Sequence, residues 1–336
     1  MTNQPNQSPP ASFFKLNRAF IIFIALIAIL WIASVIRLQW INYAQMMNYS
    51  ISYDGIRYDW IAGNLLTNQG FGYSPNEPSS WRPPGYPFFL YAVYSLFGHS
   101  IYAARIVQGF LGTATCLLLY LLTKKLSQNI RHNEMIALLA AFLYAINYHS
   151  IFFTEMLLTE LFNSTLTLLA VYLFYLADES KQRKFPIVSF FASLILWYSV
   201  LTRPADILFW LWVGIWFLLK NRSNSKKIYQ ALFAVLLGFC LTVLPWTIRN
   251  YALHQKVFLI STNGGFIFFM AHHPHSQGGF IPEGPTRYTP QQEKELSQLN
   301  EIGRQRKHYA YGFNWILNHP KEELTLLLIK QKRLWT

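Results

Sequence analysis

The densest group of side chains that could take part in chemistry lies between residues 53 and 87, in a polar segment rich in Gly and Pro. The segment contains the candidate groups Asp54, Arg57, Tyr58, Asp59, Glu77 and Arg82. The apolar runs that flank the segment are almost free of charge. A chemical site in this chain is therefore predicted to be built around this loop.

Asp54 begins the stretch DGIRYDWIAGNLL, whose apolar positions fit a short amphipathic helix. In such a helix Arg57 and Tyr58 lie on the same face as Asp54, at i+3 and i+4. Asp54 is then a candidate general base toward a hydroxyl group, and the alternative is that it caps the N-terminus of the helix. Asp59 lies roughly 140° further around the helix, so we predict that it is solvated.

The composition indicates a membrane protein. Of the 336 residues, 53% are apolar and 13% are charged, whereas soluble domains average about 25% charged residues. The net charge of +13 lies mainly in short loops between apolar runs and at the C-terminal end, so we attribute it to membrane topology and not to nucleic-acid binding. The fold class is predicted to be an all-α polytopic membrane protein.

About seven apolar runs are candidates for transmembrane helices. The first is too long for the core of a signal peptide, which has roughly 7 to 15 residues, so we interpret it as a retained helix. The apolar stretch 83–98 is short and is predicted to lie at the outer surface. The predicted spans are 19–40, 102–123, 135–152, 156–177, 186–201, 205–219 and 228–248.

The positive-inside rule supports this count, because cytoplasmic loops carry an excess of Lys and Arg. With the N-terminus in the cytoplasm, the basic residues of the tail and of three loops fall on one side of the membrane. The predicted organisation is a disordered cytoplasmic tail (1–18), a transmembrane domain (19–248) with an outer loop (41–101), and an outer-face segment (249–336). This last segment is expected either to precede further spans or to complete a minimal form.

Glu160 is predicted to lie about one turn inside the fourth span, where an ionisable group is costly and is by default functional. Asn163, Ser164 and Thr167 follow it on one helical face, which predicts a polar stripe toward the bundle interior. The alternative is a structural Glu160 that bonds to other helices. Glu155, at the mouth of the same helix, is either a further site residue or a favourable charge near a helix N-terminus.

Three arginines are predicted to reach the outer surface. Arg82 lies in WRPPGYP, where prolines restrict the backbone, and Arg203 and Arg249 stand where the fifth and seventh spans end. Each is a candidate for binding a phosphate, because a guanidinium group matches two phosphate oxygens. The alternative for each is an interfacial arginine that extends its charge toward water.

His272, His273 and His275 raise the question of a metal site, because imidazole is a common zinc ligand. No second Cys/His pair lies near them in the sequence, so we assign no metal ligand. Whether the protein uses a divalent metal as a cofactor is left open. Cys116 and Cys240 both lie in apolar runs and are predicted to behave as small hydrophobic residues.

The order of these residues resembles that of the integral-membrane GT-C glycosyltransferases of the protein mannosyltransferase and lipid A aminoarabinose transferase type (glycosyltransferase family 39). The matching landmarks are Asp54 with Arg57-Tyr58, Ala62-x-Asn64-Leu65, Gly70-Phe71-Gly72, Arg82-Pro83-Pro84-Gly85-Tyr86-Pro87, Phe97-Gly98, Ala104-Arg105, Leu158-Thr159-Glu160, Leu201-Thr202-Arg203-Pro204, Leu244-Pro245-Trp246-Thr247-Ile248-Arg249-Asn250-Tyr251 and Asn263-Gly264-Gly265. The sequence departs from the family at Ala271-His272-His273-Pro274, where members tend to have a Gly-Asn-Asn-Pro type of sequence.

The resemblance implies transfer of a sugar, with inversion, from a polyprenyl-phosphate donor to a hydroxyl of a lipid, glycan or protein acceptor. It places the reaction on the non-cytoplasmic face of a bacterial plasma (inner) membrane. By the same resemblance Asp54 is the general base and Glu160 the second catalytic acidic residue. Donor phosphate binding falls to Arg57 and Arg82, with Arg203 and Arg249 as further candidates, and Tyr58 and Glu155 complete the predicted site.

Two other classes of protein are alternatives: a transporter or flippase of lipid-linked sugars, and a scaffold for envelope assembly without catalysis. A transporter is expected to place charged groups near the bilayer midplane, on discontinuous helices related by internal repeats. In this sequence the charged groups gather near one surface, and no repeat is evident. This difference favours the transferase.

Overall fold

The computed structural model describes residues 11–180, 184–279 and 287–335, and the regular secondary structure of these residues is α-helical throughout. The helices are α1 (Ala11–Met46), α2 (Tyr53–Leu66), α3 (Gly85–Phe97), α4 (Ile101–Leu126), α5 (Asn133–Ala145), α6 (Tyr148–Glu155), α7 (Thr159–Glu179), α8 (Phe185–Thr202), α9 (Asp206–Lys220), α10 (Ser225–His254), α11 (Gly264–Ala271), α12 (Pro290–Ser297), α13 (Glu301–Asn318) and α14 (Pro320–Trp335). The predicted all-α fold class is confirmed. Of the predicted tail, residues 1–10 lie outside the described residues and 11–18 belong to α1.

Five of these helices, α1, α4, α7, α8 and α10, are long and apolar enough to cross a membrane, and α5 with α6 makes a sixth span if the bent pair is counted as one. The remaining predicted span, 205–219, corresponds to α9, which has 15 residues. That length extends only about 22 Å, compared with about 30 Å of hydrocarbon core. The two ends of α9 nevertheless contact opposite ends of α7, because Asp206 accepts from Asn163 and Lys220 pairs with Asp178.

The third predicted span, 135–152, is broken, since α5 and α6 meet at an angle of 48°. Asn147 caps the second helix by accepting a hydrogen bond from the Ser150 amide at 2.9 Å. Carbonyl groups freed by the break are satisfied by Arg37 of α1, which is fully buried. Its guanidinium group donates to the carbonyl of Ala145 at 3.2 Å and to the Ser150 hydroxyl at 2.9 Å. The charge of Arg37 within the first span therefore has a structural role.

The two ends of the helical bundle differ in their charged groups. At one end, which we call the lysine end, Lys124 and Lys125 of α4 pair with Glu134 and Glu179 at 2.8 and 2.7 Å. Asp178 pairs there with two further lysines, Lys220 and Lys227. Each of these three acidic residues is thus paired with at least one lysine. We call the opposite end, where α7 begins and α8 and α10 end, the site end.

The loop between α1 and α4 folds onto the site end and contains α2 and α3. The loop packs tightly on the bundle at Gly85, because a Cβ atom there would lie 2.7 Å from the amide nitrogen of Thr202. The Tyr198 hydroxyl of α8 also donates to the Gly85 carbonyl at 3.0 Å. Beneath this contact Tyr86 and Leu90 of α3 are fully buried. The loop is therefore fixed to the bundle next to Arg82.

Helices α11 to α14 form an outer unit that docks on the same loop through Ser79 and Ser80. Glu301, the first residue of α13, accepts from the Ser79 hydroxyl at 2.9 Å and from the Ser80 amide at 3.0 Å. The amide of Thr262 donates to the Ser80 carbonyl at 3.0 Å. A carboxylate that accepts several hydrogen bonds ties its neighbours together. Glu301 therefore joins the outer unit to the outer loop across more than 200 residues of sequence.

Within the outer unit α11 packs on α13 around the imidazole of His308, which is 3% exposed. One ring nitrogen, Nε2, lies 2.8 Å from the Tyr288 hydroxyl, and the ring packs against Phe266 and Phe269. Burial, assisted by the charge of Arg304, lowers the pKa of His308 to about 4. This histidine is therefore neutral at pH 7.

We expect acidification to loosen the packing of α11 on α13. The folded pKa of His308, about 4, lies below the value of about 6.5 for an unfolded histidine, so the stabilisation is complete above pH 6.5 and decreases as the pH falls. The expected loss is about 1.4 kcal/mol per pH unit between 6.5 and 4. Amide hydrogen exchange in α11 and α13, measured from pH 7 to 5 and corrected for intrinsic rates, provides the test. The His308→Phe variant should lose most of this dependence; an equal dependence in both proteins would contradict the assignment.

Candidate active site

Asp54 lies in the first turn of α2, and its side chain is available to neighbouring residues. The N-cap of α2 is Ser52, whose hydroxyl accepts a hydrogen bond from the Gly55 amide at 3.1 Å. The alternative that Asp54 caps the helix is therefore wrong. The Asp54 carboxylate instead forms an ion pair with Arg82, which reaches it from the loop that precedes α3.

Tyrosine rings surround the guanidinium groups of Arg82 and Arg57. Arg82 lies over the Tyr58 ring, 5.2 Å from its centroid, and its Nε donates to the Tyr73 hydroxyl at 3.3 Å. Arg57 lies over the rings of Tyr53 and Tyr73, at 4.2 and 5.3 Å. These distances are within the range of cation–π interactions. The rings hold both arginines beside Asp54 without neutralising their charge.

Burial keeps the phenols of this cluster protonated. Burial is the main cause that raises the pKa of Tyr58 to about 12, with smaller contributions in the same direction from the charges of Asp54 and Glu160 and an opposing one from Arg82. Burial likewise raises the pKa of Tyr73. Both hydroxyl groups are therefore hydrogen-bond donors at pH 7.

Asp54, Arg57 and Arg82 line one wall of a cavity of about 510 Å³, which we call the Asp54 cavity. The outer unit provides the facing wall, which includes Phe266, Met270 and Lys330. A volume of this size is typical of small-molecule sites, which span roughly 300 to 1,000 Å³. The cavity thus combines one carboxylate, several cations and an apolar surface at the site end of the bundle.

Glu160 does not line this cavity but lies close to it, in the first turn of α7. Its Oε1 pairs with Arg203 at 3.1 Å, and its Oε2 is buried with no hydrogen-bond partner among the described residues. The carboxylates of Glu160 and Asp54 both act on the phenol of Tyr58. Both acidic residues predicted as catalytic therefore lie within electrostatic range of Tyr58.

The polar stripe predicted after Glu160 faces the bundle interior in part. Asn163 is buried and donates to the Asp206 carboxylate at 2.7 Å, and Thr167 donates to the same oxygen at 3.3 Å. Ser164 is exposed and donates to the Glu160 carbonyl within its own helix. Asp206, at the start of α9, was not among the predicted site residues, although its position in the turn LTRPAD is a signal for it.

Arg249, at the end of α10, binds the backbone of the outer loop. Its guanidinium group donates to the Ser79 carbonyl at 2.9 Å, the Ser80 hydroxyl at 2.7 Å and the Phe71 carbonyl at 3.3 Å. The group also lies 4.7 Å above the Trp246 ring. The structure thus separates the four arginines predicted for the donor phosphate: Arg57 and Arg82 line the cavity, Arg203 binds Glu160, and Arg249 supports the loop.

Glu155, predicted as a further site residue, is fully buried in an ion pair with Arg105. The two side chains are 1% and 3% exposed, and Arg105 Nη2 lies 2.6 Å from the carboxylate. Arg105 also donates to the Glu155 carbonyl at 3.0 Å. The pair joins α4 to the end of α6, so the contacts of Glu155 in this structure are structural.

The prediction that Asp59 is solvated is wrong. Its side chain is 12% exposed and accepts a hydrogen bond from the Tyr94 hydroxyl at 2.6 Å, while His99 Nε2 lies 2.8 Å away. The predicted position of Asp59 on a different helical face from Asp54 holds, since the two carboxylates have different partners. The face that it occupies is covered by α3, a tertiary contact that the helical period alone does not reveal.

The three clustered histidines lie in the outer unit and do not line the Asp54 cavity. His272 pairs with Glu323 at 2.8 Å, and His273 and His275 have ring centroids 5.5 Å apart. Among the residues that the structure describes, no group of three or more His, Cys, Asp or Glu is placed to hold a metal ion. Cys116 is buried and Cys240 half-buried, and both thiols are free.

Residues 81–246, just under half of the chain, match the family model described as dolichyl-phosphate-mannose-protein mannosyltransferase. The predicted resemblance is thereby confirmed, and the activity that this family implies is that of a membrane glycosyltransferase. Comparison with curated proteins and with solved structures found no match. The matched residues include Arg82, Glu160 and Arg203, whereas Asp54 and Arg57 precede them.

We expect Glu155→Gln to destabilise the protein, because the buried guanidinium of Arg105 loses its countercharge. Breaking a buried ion pair costs about 3 to 5 kcal/mol, so the melting temperature in detergent should fall clearly. The matched control is Glu134→Gln, which removes a partly exposed pair with Lys124 and should cost about 1 kcal/mol or less. An unchanged melting temperature with lost activity would instead make Glu155 a site residue.

Proposed function

We propose that this chain, whose residues 81–246 match the dolichyl-phosphate-mannose-protein mannosyltransferase family model, transfers a sugar from a polyprenyl-phosphate donor to a hydroxyl acceptor. The observation on which the proposal rests is the Asp54 cavity, in which one carboxylate adjoins two arginines. This arrangement suits a displacement in which a proton leaves the nucleophile while negative charge develops on a phosphate. The family match alone supports only the coarser activity of a membrane glycosyltransferase.

In the proposed reaction the acceptor hydroxyl attacks the anomeric carbon of the donor sugar and its proton passes to Asp54. The bond between the anomeric carbon and the phosphate oxygen breaks, and the polyprenyl phosphate departs with the electron pair. A single displacement inverts the anomeric configuration. Asp54 is suited to the role of base because its side chain is 48% exposed toward the cavity and is not used as a helix cap.

Arg57 and Arg82 are proposed to bind the departing phosphate. Guanidinium groups held in place before the reaction stabilise charge as it develops, at no cost of reorganisation. Arg57 has no carboxylate partner among its described contacts, so its charge is available to an anion. Arg82 contacts Asp54 and would bind both the base and the phosphate, which keeps the two groups close together.

Glu160 is proposed to assist the sugar transfer from a position near Tyr58, outside the lining of the Asp54 cavity. Its Oε2 is buried and accepts no hydrogen bond from a described residue, so Glu160 is proposed to act through its negative charge beside Tyr58. Arg203 orients this carboxylate through Oε1. In this proposal Arg203 positions Glu160, and Arg249 positions the outer loop through Ser79 and Ser80.

The lysine end is proposed to face the cytoplasm, because cytoplasmic loops carry the excess of positive charge. The Asp54 cavity then opens toward the opposite face, which in a bacterial plasma membrane is the periplasm or the exterior. The donor lipid would enter from the outer leaflet, and the acceptor would be a lipid, glycan or protein that is accessible from that side. A divalent metal is not required by this mechanism, since the arginines provide the positive charge.

We expect Asp54→Asn to abolish sugar transfer while the protein remains folded and inserted, because the amide cannot take the acceptor proton. General base catalysis contributes about 10²- to 10⁴-fold, so the residual rate should fall by at least about a hundredfold. The assay incubates purified protein with polyprenyl-phosphate sugars and envelope extract and identifies, by mass, the molecules that have gained a sugar.

The matched control is Glu77→Gln, which alters an exposed acid of the same loop and should leave the rate near that of the wild type. Retained transfer by Asp54→Asn would remove Asp54 as the base. Absence of transfer by the folded wild-type protein from every donor would favour the transporter or flippase alternative instead.

We expect Arg57→Gln and Glu160→Gln to have different kinetic effects, because one residue is proposed to bind the donor phosphate and the other to act on the chemical step. Loss of Arg57 removes phosphate binding, so it should raise the KM for the donor and lower kcat. Loss of the Glu160 charge should mainly lower kcat, since the group acts near the reacting centre. Steady-state kinetics with varied donor concentration provides the measurement. Near-normal turnover of Glu160→Gln would show that Glu160 is a structural residue and not a catalytic one.

A further inference from the structure

A second cavity, of about 340 Å³, lies within the outer unit on the other side of α11 from the Asp54 cavity. We call it the aromatic cavity. Phe266 and Met270 of α11 line the Asp54 cavity, whereas Phe269 and the following His273 line the aromatic cavity. The two cavities share no lining residue, and α11 separates them. Neighbouring residues of α11, such as Phe269 and Met270, thus line different cavities.

The lining of the aromatic cavity combines rings with neutral polar groups. Its larger rings are Phe269, Tyr288, Tyr311 and Trp315, and its amides are Gln292, Asn314 and Asn318. Among the described residues that line it, none is Asp, Glu, Lys or Arg. Rings pack against the C–H faces of a pyranose, and amides both donate and accept hydrogen bonds with hydroxyl groups. This lining matches a neutral polyhydroxylated ligand better than an ion.

The aromatic walls are held in place from behind. The Tyr288 hydroxyl lies 2.8 Å from His308 Nε2, and the Tyr311 hydroxyl donates to Glu295 at 2.5 Å. Phe269 stacks on Tyr288 with planes 3° apart. A cavity whose walls are already ordered binds a ligand without the entropic cost of ordering them.

Three of the four histidines that line the cavity have ring nitrogens engaged by other groups, which argues against a metal ion as its ligand; one of them is His319, whose Nδ1 lies 3.2 Å from the Trp315 carbonyl. His273 is 6% exposed, and its Nδ1 accepts a hydrogen bond from the His275 amide at 3.1 Å. Burial and the neighbouring His275 lower the pKa of His273, so its ring is neutral at pH 7. His272 pairs with Glu323. These contacts leave no set of converging metal ligands among the residues that the structure describes.

We propose that the aromatic cavity binds a neutral saccharide unit of the acceptor, so that a glycan extends from the Asp54 cavity across α11. The inference rests on the proposed function for the identity of the acceptor, but saccharide binding itself can be measured without transfer. The proposal restricts the class of acceptor, which was a lipid, glycan or protein, to molecules that contain an uncharged glycan. Trp315 and Asn318, both of α13, provide a ring and an amide for this contact.

The test measures binding of neutral oligosaccharides of glucose, mannose or galactose to the full-length protein in detergent, with no donor lipid present. Saturation-transfer NMR and calorimetry report the binding, and an oligogalacturonate serves as the anionic comparison. We expect at least one neutral oligosaccharide to bind more tightly than the anionic one. Trp315→Ala and Asn318→Ala should each weaken this binding about tenfold or more, as truncation of a central contact does.

The matched control is Trp212→Ala, because Trp212 of α9 is 72% exposed and lies outside both cavities. Asn318 is exposed, so its variant is expected to fold even if Trp315→Ala does not. Binding that survives in Asp54→Asn but is lost in Asn318→Ala would support the proposal independently of transfer. Failure of all neutral oligosaccharides to bind, equal loss in Trp212→Ala, or saturable Zn²⁺ binding that blocks the cavity would overturn it.

Discussion

Charged side chains in this chain are restricted to places where they can be paired or hydrated, because a bilayer offers them neither. The lysine end gathers the acids Glu134, Asp178 and Glu179 against four lysines. The site end gathers Asp54, Arg82, Glu160 and Arg203. Arg37 lies inside the first span, away from both ends of the bundle. It meets the same requirement, because it donates hydrogen bonds to carbonyl groups and a hydroxyl of the broken α5–α6 pair.

The site end is organised by hydrogen bonds that converge on Ser79 and Ser80. Arg249 from α10 and Glu301 from α13 both bind this short stretch of the outer loop. Neither residue contacts a substrate in the proposed mechanism. Together they set the distance between the two walls of the Asp54 cavity, so the geometry of the site depends on residues that lie behind it.

The proposed chemistry places different demands on residues of the same type. Arg57 lines the Asp54 cavity with no carboxylate partner among its described contacts, and Arg82 lines it while paired with Asp54. Arg203 and Arg105 are instead paired with Glu160 and Glu155, which do not line the cavity. The same division separates Asp54, which is half exposed, from Asp59, which is buried under α3. Residue type alone therefore indicates a candidate, and its partners determine whether the group is available for catalysis.

The sequence alone determined the fold class and the approximate spans, because apolar length and local helical period are properties of neighbouring residues, and it predicted where the candidate site lies. It also determined that Asp54, Arg57 and Tyr58 share one helical face. Only the tertiary structure revealed the break after Ala145, the shortness of α9, the burial of Asp59 and the roles of Ser79, Ser80 and Glu301. These features depend on contacts between residues distant in the chain, such as Glu301 with Ser80, and no local pattern specifies such a pair.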